Sequence, residues 1–567
     1  MHRRQVRPRT PGVVGGGRGR YGARAAGTAF MLAAVLAGAP ALAAPDAATS
    51  TAGPTSEAEA PSDAGASTVG PTSPEADPAA TTSAPEPTSP AQVRPVVAPT
   101  VRPLGQVADG SVPGPAGVEE ALEDELDSRW LGPANRRAVT VRDALTGEHL
   151  LDRNADRLLT PASTTKILAA AAVVTGLDVE HTFPTRVVRG TGPQELVLVA
   201  GGDMLLARGA GDPDSVAGHA GLGDLADQVA EALQAEGSTA PVRLRVDLTH
   251  AAGPSVLDSW TDFWVAEGYT GRIVQLGLEE DRALPFFPSP RDPAQEAVRA
   301  FAAALLDRGV PLAGEGDAVL TEAEDLADLP DVPEVEVATG AGADAAPEDG
   351  GSTQEAGPAD DAPASGDTAA GSPEELAVVR SAPLRDVLAL ALATSDNAMV
   401  EQLSRQAAVA AGRAPDRQDV AAWVEETLAR TYGVDLTGVE IADTSGLSDG
   451  TILPVRVVAD LLVAGADGSH PDLQAVLAAG GLPIAGYTGT LATRFHLPVH
   501  GPAIGTARAK TGSLPGVTSL AGTVVTADGR LLVYALGADR IGEDGAVLEA
   551  RSVLDEIVAE LARCGCS

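Results

Sequence analysis

Apolar and polar residues follow several distinct patterns along this chain, and each pattern predicts an element. A continuous apolar run over 167–174, shortly after Pro161, predicts a buried helix. Residues 138–142 and 148–152 lie on either side of a Thr-Gly turn, and the pattern predicts a β-hairpin. Residues 517–526 and 531–537 flank an Asp-Gly turn and predict a second antiparallel ribbon.

Amphipathic segments and short strands follow one another through much of the chain. Residues 196–200 have the composition of a buried strand, and residues 242–246 alternate as another strand. Further helices are predicted over 118–122, 222–234, 294–308, 383–394, 398–409, 455–464 and 549–563. This mixture predicts an α/β (α+β) fold, in which a second α/β unit interrupts the first domain after its 167–174 helix.

An apolar N-terminal segment and two polar tracts divide the chain further. Residues 1–43 combine an arginine-rich start, an apolar core and Ala-Leu-Ala, which predicts a signal peptide and an exported protein; an uncleaved anchor is the alternative. Residues 44–115 predict a disordered Ala/Pro/Thr/Ser-rich linker, and residues 329–375 predict a disordered acidic insertion. The main domain is therefore expected over 116–183 and 376–567, with the inserted domain over 184–328.

Composition argues against two kinds of ligand. The 567 residues carry a net charge of −38, which disfavours binding of nucleic acid through its phosphates. The eight histidines are scattered, and the two cysteines, Cys564 and Cys566, lie one residue apart. Such a pair can be oxidised in an exported protein, but it builds no disulfide framework. The sequence predicts no metal site and no cofactor.

Lysine is almost absent, and both lysines fall in short polar motifs. Among 40 basic residues only Lys166 and Lys510 are lysine. Arginine does not lose its proton at ordinary pH, so a site that needs a removable proton must keep lysine. Ser163 precedes Lys166 by three residues, which places the hydroxyl and the amine on one helical face. Burial lowers the pKa of a lysine, so this pair predicts a nucleophile and its base, although Ser-x-x-Lys also occurs by chance.

Two further motifs follow in order. Ser395-Asp396-Asn397 offers a hydroxyl that can relay protons and an amide that can hold a substrate carbonyl. Lys510-Thr511-Gly512 places an ammonium and a hydroxyl on a predicted strand edge, where the glycine leaves room for an extended substrate. Taken separately, these motifs also fit a helix cap and a turn before a strand. Together, in this order, the three motifs predict a catalytic site.

At these residues the chain resembles the serine penicillin-binding proteins and β-lactamases. More narrowly, it is similar to the D-alanyl-D-alanine carboxypeptidase/endopeptidase family, the class C low-molecular-mass penicillin-binding proteins. Similar stretches also occur at 200–203, 443–448, 482–491 and from Val517 onward. Ser163 and Ser395 are 232 positions apart, which leaves room for the inserted domain that the family carries. The chain departs from the family at Met204, at Thr444 and in its acidic tract.

The resemblance implies a β-lactamase/transpeptidase-like catalytic domain and a role for each motif. Ser163 would attack the carbonyl of the penultimate D-alanine in a peptidoglycan stem peptide and form an acyl-enzyme, with Lys166 as the base. Ser395 would relay a proton to the leaving D-alanine, with Lys510 beside it. Asn397 would position the substrate amide.

The same resemblance implies how the substrate is held. Thr511 and Ser513, on either side of Gly512, would bind the terminal carboxylate. The backbone N–H groups of Ser163 and Ser513 would form the oxyanion hole, and Asp396 would brace its loop. The implied partners are peptidoglycan stem peptides and, as covalent inhibitors, β-lactam antibiotics. The protein would lie outside the cytoplasm, peripheral to the membrane or the cell wall at most.

Two other functions are compatible with the same motifs. A serine β-lactamase shares all three motifs but deacylates rapidly, whereas a penicillin-binding protein stays acylated. A non-catalytic cell-wall-binding scaffold would have no need of intact motifs, and both lysines are retained. The sequence does not distinguish carboxypeptidase from endopeptidase activity.

Overall fold

The computed structural model describes residues 110–192, 194–313, 373–542 and 546–565. The predicted signal peptide, residues 44–109 of the predicted linker and residues 329–372 of the acidic tract lie outside these ranges. Cys564 is buried and disulfide-bonded, and Cys566 lies outside the described residues. Within the described ranges, no helix has both the length and the apolar character needed to cross a membrane.

The strands are β1 Arg137–Asp143, β2 His149–Arg153, β3 Pro184–Arg189, β4 Glu195–Val199, β5 Asp203–Leu206, β6 Arg243–Asp247, β7 Leu276–Leu278, β8 Glu375–Arg380, β9 Ala507–Leu514, β10 Val517–Val525 and β11 Leu531–Asp539. The helices are α1 Pro115–Leu126, α2 Thr165–Gly176, α3 Leu222–Ala235, α4 Asp262–Ala266, α5 Pro293–Asp307, α6 Leu384–Thr394, α7 Asn397–Ala410, α8 Arg417–Tyr432, α9 Val455–Ala464, α10 Pro471–Val476 and α11 Ala546–Arg563.

A five-stranded antiparallel sheet lies at the centre of the larger part of the fold. Its strand order is β2-β1-β11-β10-β9, so both predicted hairpins form and pair with each other through β1 and β11. Strand β9, which contains Lys510, lies at the edge of this sheet, as the sequence predicted. An edge strand leaves backbone N–H and C=O groups available for an extended ligand.

Both faces of this sheet are covered by helices. On one face, α1 and α11 pack their apolar residues against alternate strand residues such as Val139 and Tyr534. On the other face, Ala138 and Val533 belong to a core with α2, α6, α7, α8 and α9. Because helix α2 lies inside this second core, all residues from Thr165 to Val174 are buried. This burial removes the Lys166 amine from water.

A second sheet has a hydrophobic core of its own. Its order is β6-β4-β3-β8, and α3 and α5 pack their apolar faces against it. The predicted elements at 196–200, 222–234, 242–246 and 294–308 are confirmed within one or two residues. Strand β8, at the end of the predicted acidic tract, pairs with β3. The chain therefore enters and leaves this second sheet through neighbouring antiparallel strands.

Helix α8 was not predicted from the sequence, although both of its ends carry signals. The Asp416 carboxylate caps the first turn by accepting from the backbone N–H groups of Gln418 and Asp419. Gly433 ends the helix in the left-handed conformation, with φ of 64°. The apolar positions between these caps are few, and the periodicity was correspondingly weak.

Candidate active site

Ser163 lies on a tight turn rather than inside the first turn of the helix. Residues Ala162–Thr164 form a 3₁₀ turn, and the α-helix begins only at Thr165. Ala162 has a φ of 48°, which is uncommon for a residue with a side chain and is a form of strain often found at functional sites. The hydroxyls of Thr164 and Thr165 donate to the carbonyls of Pro161 and Ala162, each at 2.8 Å. These bonds hold the turn and leave the Ser163 side chain partly exposed.

Two glycines allow the surrounding chain to close on this turn. A Cβ atom at Gly446 would lie 2.1 Å from the Ala162 carbonyl oxygen, and Gly446 also has a φ of 74°. A Cβ atom at Gly512 would lie 2.1 Å from Ser519 Oγ and 2.7 Å from the Pro161 carbonyl oxygen. The space at Gly512 is thus filled by the serine turn, whereas the sequence suggested that it would be left for a substrate. Glycine is required at both positions for close packing.

The Lys166 amine faces Ser163, as the spacing predicted. Its Nζ donates to Ser163 Oγ at 3.1 Å, to Asn397 Oδ1 at 2.5 Å and to the Ser445 carbonyl at 2.7 Å. Burial lowers the pKa of Lys166 to about 8, against the opposing effect of nearby carboxylates that include Asp443. A lysine with such a pKa has a neutral fraction near neutral pH, so it can accept the serine proton.

The second motif forms the corner between α6 and α7. Ser395 ends α6 with a φ of 59°, in the left-handed conformation. Asp396 caps α7 by accepting from the Met399 backbone at 3.0 Å, and its other oxygen pairs with Arg282. Asp396 therefore braces the loop, in agreement with the sequence-based interpretation.

Asn397 makes two contacts with protein groups. Its Oδ1 accepts from Lys166, and its Nδ2 donates to the Tyr269 carbonyl at 2.9 Å. The sequence suggested that this amide would position the substrate. In the structure, the Asn397 amide also links the Lys166 amine to the segment around Tyr269. Asn397 still lines the cleft.

The second lysine completes the site from the sheet edge. Lys510 is fully buried, and its Nζ donates to Ser395 Oγ at 2.9 Å and to the Thr511 carbonyl at 2.9 Å. Burial and, to a lesser degree, the charge of Lys166 hold the pKa of Lys510 well below its usual value. Two nearby amines that both lose hydration cannot both stay protonated easily. A carboxylate bound beside Lys510 would favour its ammonium form.

Thr511 and Ser513 point toward the same cleft. Both side chains are partly exposed on β9 and line the cleft with Ser163 and Ser395. The Thr511 hydroxyl donates to the Thr490 hydroxyl at 3.0 Å. Thr490 was not selected from the sequence, although it lies in the 482–491 stretch that carried part of the family resemblance. Five of the eight predicted site residues thus line one cleft, namely Ser163, Ser395, Asn397, Thr511 and Ser513. Lys166 and Lys510 are buried behind the two serines, and Gly512 packs against the serine turn.

An aromatic wall beside the cleft was missed from the sequence. Six of the chain's sixteen aromatic residues lie within residues 260–287. Trp264 and Tyr269 line the cleft, and Tyr269 stacks on Phe263 with ring centroids 5.7 Å apart. Leu284 and Pro285 continue this apolar side of the cleft. The strong clustering of a scarce residue type was the signal that could have revealed it.

The loop 443–448 and Glu401 form a second layer behind Lys166. The Asp443 carboxylate accepts from the backbone N–H groups of Gly446 at 2.6 Å and Ser448 at 2.7 Å, and from the Trp260 indole at 2.9 Å. Glu401, also buried, accepts from the Ser445 backbone at 2.7 Å. Glu401 lies four residues after Asn397 on α7, so helical spacing could have identified it.

The residues around the cleft contain no group suited to hold a metal. Among the described residues, no set of three or more His, Cys, Asp and Glu side chains has an arrangement that could bind a metal ion. The cleft contributes instead hydroxyls and the Asn397 amide, and the two lysine amines lie behind Ser163 and Ser395. Such groups support acyl transfer through a serine nucleophile with a lysine base.

Comparison with known sequences decides the family. The sequence matches the D-Ala-D-Ala carboxypeptidase 3 (S13) family over residues 119–285 and 361–561. It is 32% identical over 472 residues to Carboxypeptidase Rv3627c of Mycobacterium tuberculosis, which covers 81% of this chain and 87% of that protein. The chain belongs to the S13 family of D-Ala-D-Ala carboxypeptidases. This confirms the predicted resemblance and the prediction of a serine-type peptidase.

A further relative and one solved structure are similar to this chain. The D-alanyl-D-alanine carboxypeptidase of Actinomadura sp. is 29% identical over 455 residues, which cover 72% of this chain and 79% of that protein. Penicillin binding protein 4 of Haemophilus influenzae is only 17% identical, but it shares the fold with a TM-score of 0.54 over 78% of this chain and 98% of that chain. The S13 match omits residues 286–360, which include most of the predicted acidic insertion.

Proposed function

We propose that this S13 protein is a serine D-alanyl-D-alanine carboxypeptidase/endopeptidase that cleaves peptidoglycan stem peptides through an acyl-enzyme on Ser163. The observation that carries the proposal is the contact of Lys166 Nζ with Ser163 Oγ at 3.1 Å, because this amine is buried and the hydroxyl opens onto the cleft. A nucleophile and a base of suitable pKa are then in contact at the start of one helix.

Acylation starts at the serine turn. Ser163 Oγ attacks the carbonyl carbon of the penultimate D-alanine, and its proton passes to Lys166. The backbone N–H groups of Ser163 and Ser513 stabilise the oxyanion that develops on the carbonyl oxygen. In other acyl-transfer enzymes each such donor contributes about 3–4 kcal/mol in the transition state. Asn397 keeps the Lys166 amine directed at the serine through its Oδ1.

Departure of D-alanine requires a proton on its amine. Ser395 Oγ is placed to donate this proton as the C–N bond breaks, and Lys510, 2.9 Å away, replaces it. The acyl group then remains on Ser163 until water attacks the ester carbonyl and releases the shortened peptide. If the leaving amine belongs to a cross-linked peptide, the same steps give endopeptidase activity.

The terminal carboxylate of the substrate is assigned to β9. Thr511 and Ser513 present hydroxyls to the cleft, and Lys510 lies beneath them in the same strand. The pKa of Lys510 is low in the free enzyme because the amine is buried. A substrate carboxylate raises this pKa, so binding of the substrate supplies the ammonium that replenishes the Ser395 proton.

β-Lactam antibiotics fit the same scheme as covalent inhibitors. Their ring amide resembles the D-alanyl-D-alanine bond, and their carboxylate can occupy the site on β9. The opened ring stays attached and hinders the approach of water, so the adduct persists. Rapid release of the opened antibiotic would instead favour the β-lactamase alternative, and a time course of penicillin hydrolysis distinguishes the two.

Release of D-alanine from a pentapeptide tests the proposed activity. The wild-type protein is expected to release the terminal D-alanine, and Ser163→Ala is expected to reduce turnover by a factor on the order of 10⁴–10⁶. Absence of D-alanine release by a folded, penicillin-reactive wild type would contradict the carboxypeptidase activity. Absence of both reactions would support the alternative of a non-catalytic scaffold.

Export is a separate part of the proposal and rests on the sequence. The arginine-rich start, the apolar core and Ala41-Leu42-Ala43 support a cleaved signal, and peptidoglycan lies outside the cytoplasmic membrane. N-terminal sequencing of protein from the culture medium or cell envelope should begin near Ala44. Accumulation of protein with an intact Met1 in the cytoplasm would contradict export.

A further inference from the structure

A buried acidic side chain lies directly behind the catalytic lysine. Glu401 is on α7, one helical turn after Asn397, and only 5% of it is exposed. Its Oε1 accepts from the Ser445 backbone N–H at 2.7 Å. The carbonyl of the same residue, Ser445, accepts from Lys166 Nζ at 2.7 Å. A single residue thus connects the carboxylate to the amine.

The other acidic group in this layer has a different task. The Asp443 carboxylate is occupied by three backbone N–H groups of its own loop, by the Ser448 hydroxyl and by the Trp260 indole. These contacts fix the loop and its contact with Trp260. The hydrogen bond of Glu401 is instead directed at the residue that contacts Lys166. Both carboxylates raise the pKa of Lys166, and Asp443 does so more strongly than Glu401. Of these two, Glu401 is the one that is hydrogen-bonded to the residue in contact with Lys166.

The charges around Glu401 come from several elements. Lys166 faces it from α2, Asp443 from the loop before α9, and Arg405 from the next turn of α7. Burial, followed by the charge of Asp443, raises the pKa of Glu401 to about 7. The Glu401 charge in turn raises the pKa of Lys166 and of Arg405.

We propose that Glu401 is a positioning residue that holds the Ser445 carbonyl against Lys166 and whose charge adjusts how readily Lys166 accepts the Ser163 proton. The inference rests on the proposed function, because it assigns Lys166 as the base of acylation. Ionised Glu401 stabilises the Lys166 ammonium. Loss of the Glu401 charge therefore makes the neutral amine available at lower pH, whereas loss of its hydrogen bond disturbs the position of the amine.

The test is the rate of covalent penicillin labelling as a function of pH. Glu401→Gln keeps an oxygen that can accept from Ser445 and removes the charge. We expect the acidic limb of its profile to move to lower pH by roughly 0.5–1 unit. Ser404→Ala is the matched control, because Ser404 is buried on the same helix and its hydroxyl has no hydrogen-bond partner among the described residues. Its profile should coincide with that of the wild type.

Either of two results with folded Glu401→Gln would overturn the proposal. If the acidic limb of the labelling profile stays in place in folded Glu401→Gln, the Glu401 charge does not act on Lys166. If this limb moves to higher pH, the effect of the charge has the opposite sign to the one proposed. If Glu401→Gln does not fold, Glu401→Asp provides the test, because it keeps the charge but withdraws it by one methylene from Ser445. Glu401→Asp should slow labelling and leave the acidic limb of the profile in place. Labelling of Glu401→Asp at the wild-type rate at every pH would also overturn the proposal.

Failure of the proposed function gives a different result. If Ser163 is not the nucleophile, the wild-type protein shows no labelling of Ser163 at any pH, before any Glu401 variant is compared. Thermal unfolding of each variant separates loss of folding from loss of labelling.

Discussion

At the scale of single residues, the site depends on two amines that water cannot reach. Lys166 and Lys510 are both fully buried, and each donates to a serine hydroxyl of a different motif. Burial is what lowers their pKa values, because a charged amine loses its hydration there. The two serine–lysine pairs can then divide the work, with one activating the nucleophile and the other supplying the leaving group with a proton.

Exchange of each lysine for arginine tests this division. Lys166→Arg keeps a cation that cannot give up its proton, so penicillin labelling should fall by about 10²–10⁴-fold, the usual contribution of a general base. Lys510→Arg should lower labelling less, because a cation remains near the substrate carboxylate. Labelling rates and melting temperatures should be measured for both variants. Equal, small effects of the two exchanges would show that neither lysine has the assigned role.

The pH dependence of the wild type follows from the state of Lys166. Acylation needs the neutral amine, and the pKa of Lys166 is lowered to about 8. The labelling rate should therefore rise with pH and level off above about 8, with a slope of about one on logarithmic axes in the acidic limb. An ordinary lysine, with a pKa near ~10.4, would place this limb more than ~2 units higher. A limb at that position would mean that burial does not lower the pKa of the base.

At the scale of elements, close packing of three segments sets the position of Ser163. The 3₁₀ turn at Ala162–Thr164 is enclosed by β9 at Gly512 and by the loop at Gly446. The Ser519 hydroxyl of β10 donates to the Pro161 carbonyl at 2.6 Å and adds the central sheet to this enclosure. The nucleophile is thus located by rigid neighbours rather than by its own helix alone.

Substitution at Gly446 tests this packing. Gly446→Ala should destabilise the fold by at least the cost of a strained backbone, about 1–3 kcal/mol, and should also displace the Ser163 turn. Gly433→Ala is the matched control, because Gly433 has a φ of 64° but no atom within 4 Å of an added Cβ. Both variants should unfold at lower temperature, and only Gly446→Ala should also lose penicillin labelling. Normal labelling by folded Gly446→Ala would contradict the packing argument.

Sequence patterns could predict elements whose signals are local. The hairpins at β1–β2 and β10–β11 have a turn signal and alternating residues, and Ser163 and Lys166 are separated by one helical turn. The contacts of Glu401, Gly512 and Thr490 depend on segments far apart in the chain. Helical spacing relates Glu401 to Asn397, but no local periodicity encodes its contact with Ser445 or the approach of Gly512 to the serine turn. The reason for glycine at 512 was therefore predicted incorrectly, and the second layer was missed.

At the scale of the whole molecule, the proposed catalytic residues come from segments separated by the second sheet. The chain enters this sheet at β3 and leaves it at β8, which pairs with β3. We propose that the region of the second sheet is the inserted domain, which the sequence placed at 184–328. Strand β8, which the sequence placed almost entirely in the main domain, pairs with β3 and extends this region. This region contacts the site directly, because the Tyr269 carbonyl accepts a hydrogen bond from Asn397 and Arg282 forms an ion pair with Asp396.

The acidic tract gives a prediction that rests on composition alone. Residues 331–372 are rich in Ala, Gly, Asp, Glu and Pro and contain few large apolar side chains, so they have little surface to bury in a core. Deletion of 331–372 should leave the melting temperature and the penicillin labelling nearly unchanged, and limited proteolysis of the full chain should cut there early. A large loss of stability after deletion would mean that the tract packs against the fold.

The most direct test of the proposed catalytic site is peptide mass spectrometry after incubation with penicillin. The wild-type protein should carry a long-lived adduct on the peptide that contains Ser163, because Lys166 activates this hydroxyl at 3.1 Å. Ser163→Ala should fold, since loss of one hydroxyl at a helix start costs about 1 kcal/mol, and it should carry no adduct. An adduct that persists in Ser163→Ala, or that maps to Ser395, would contradict the assignment of the nucleophile.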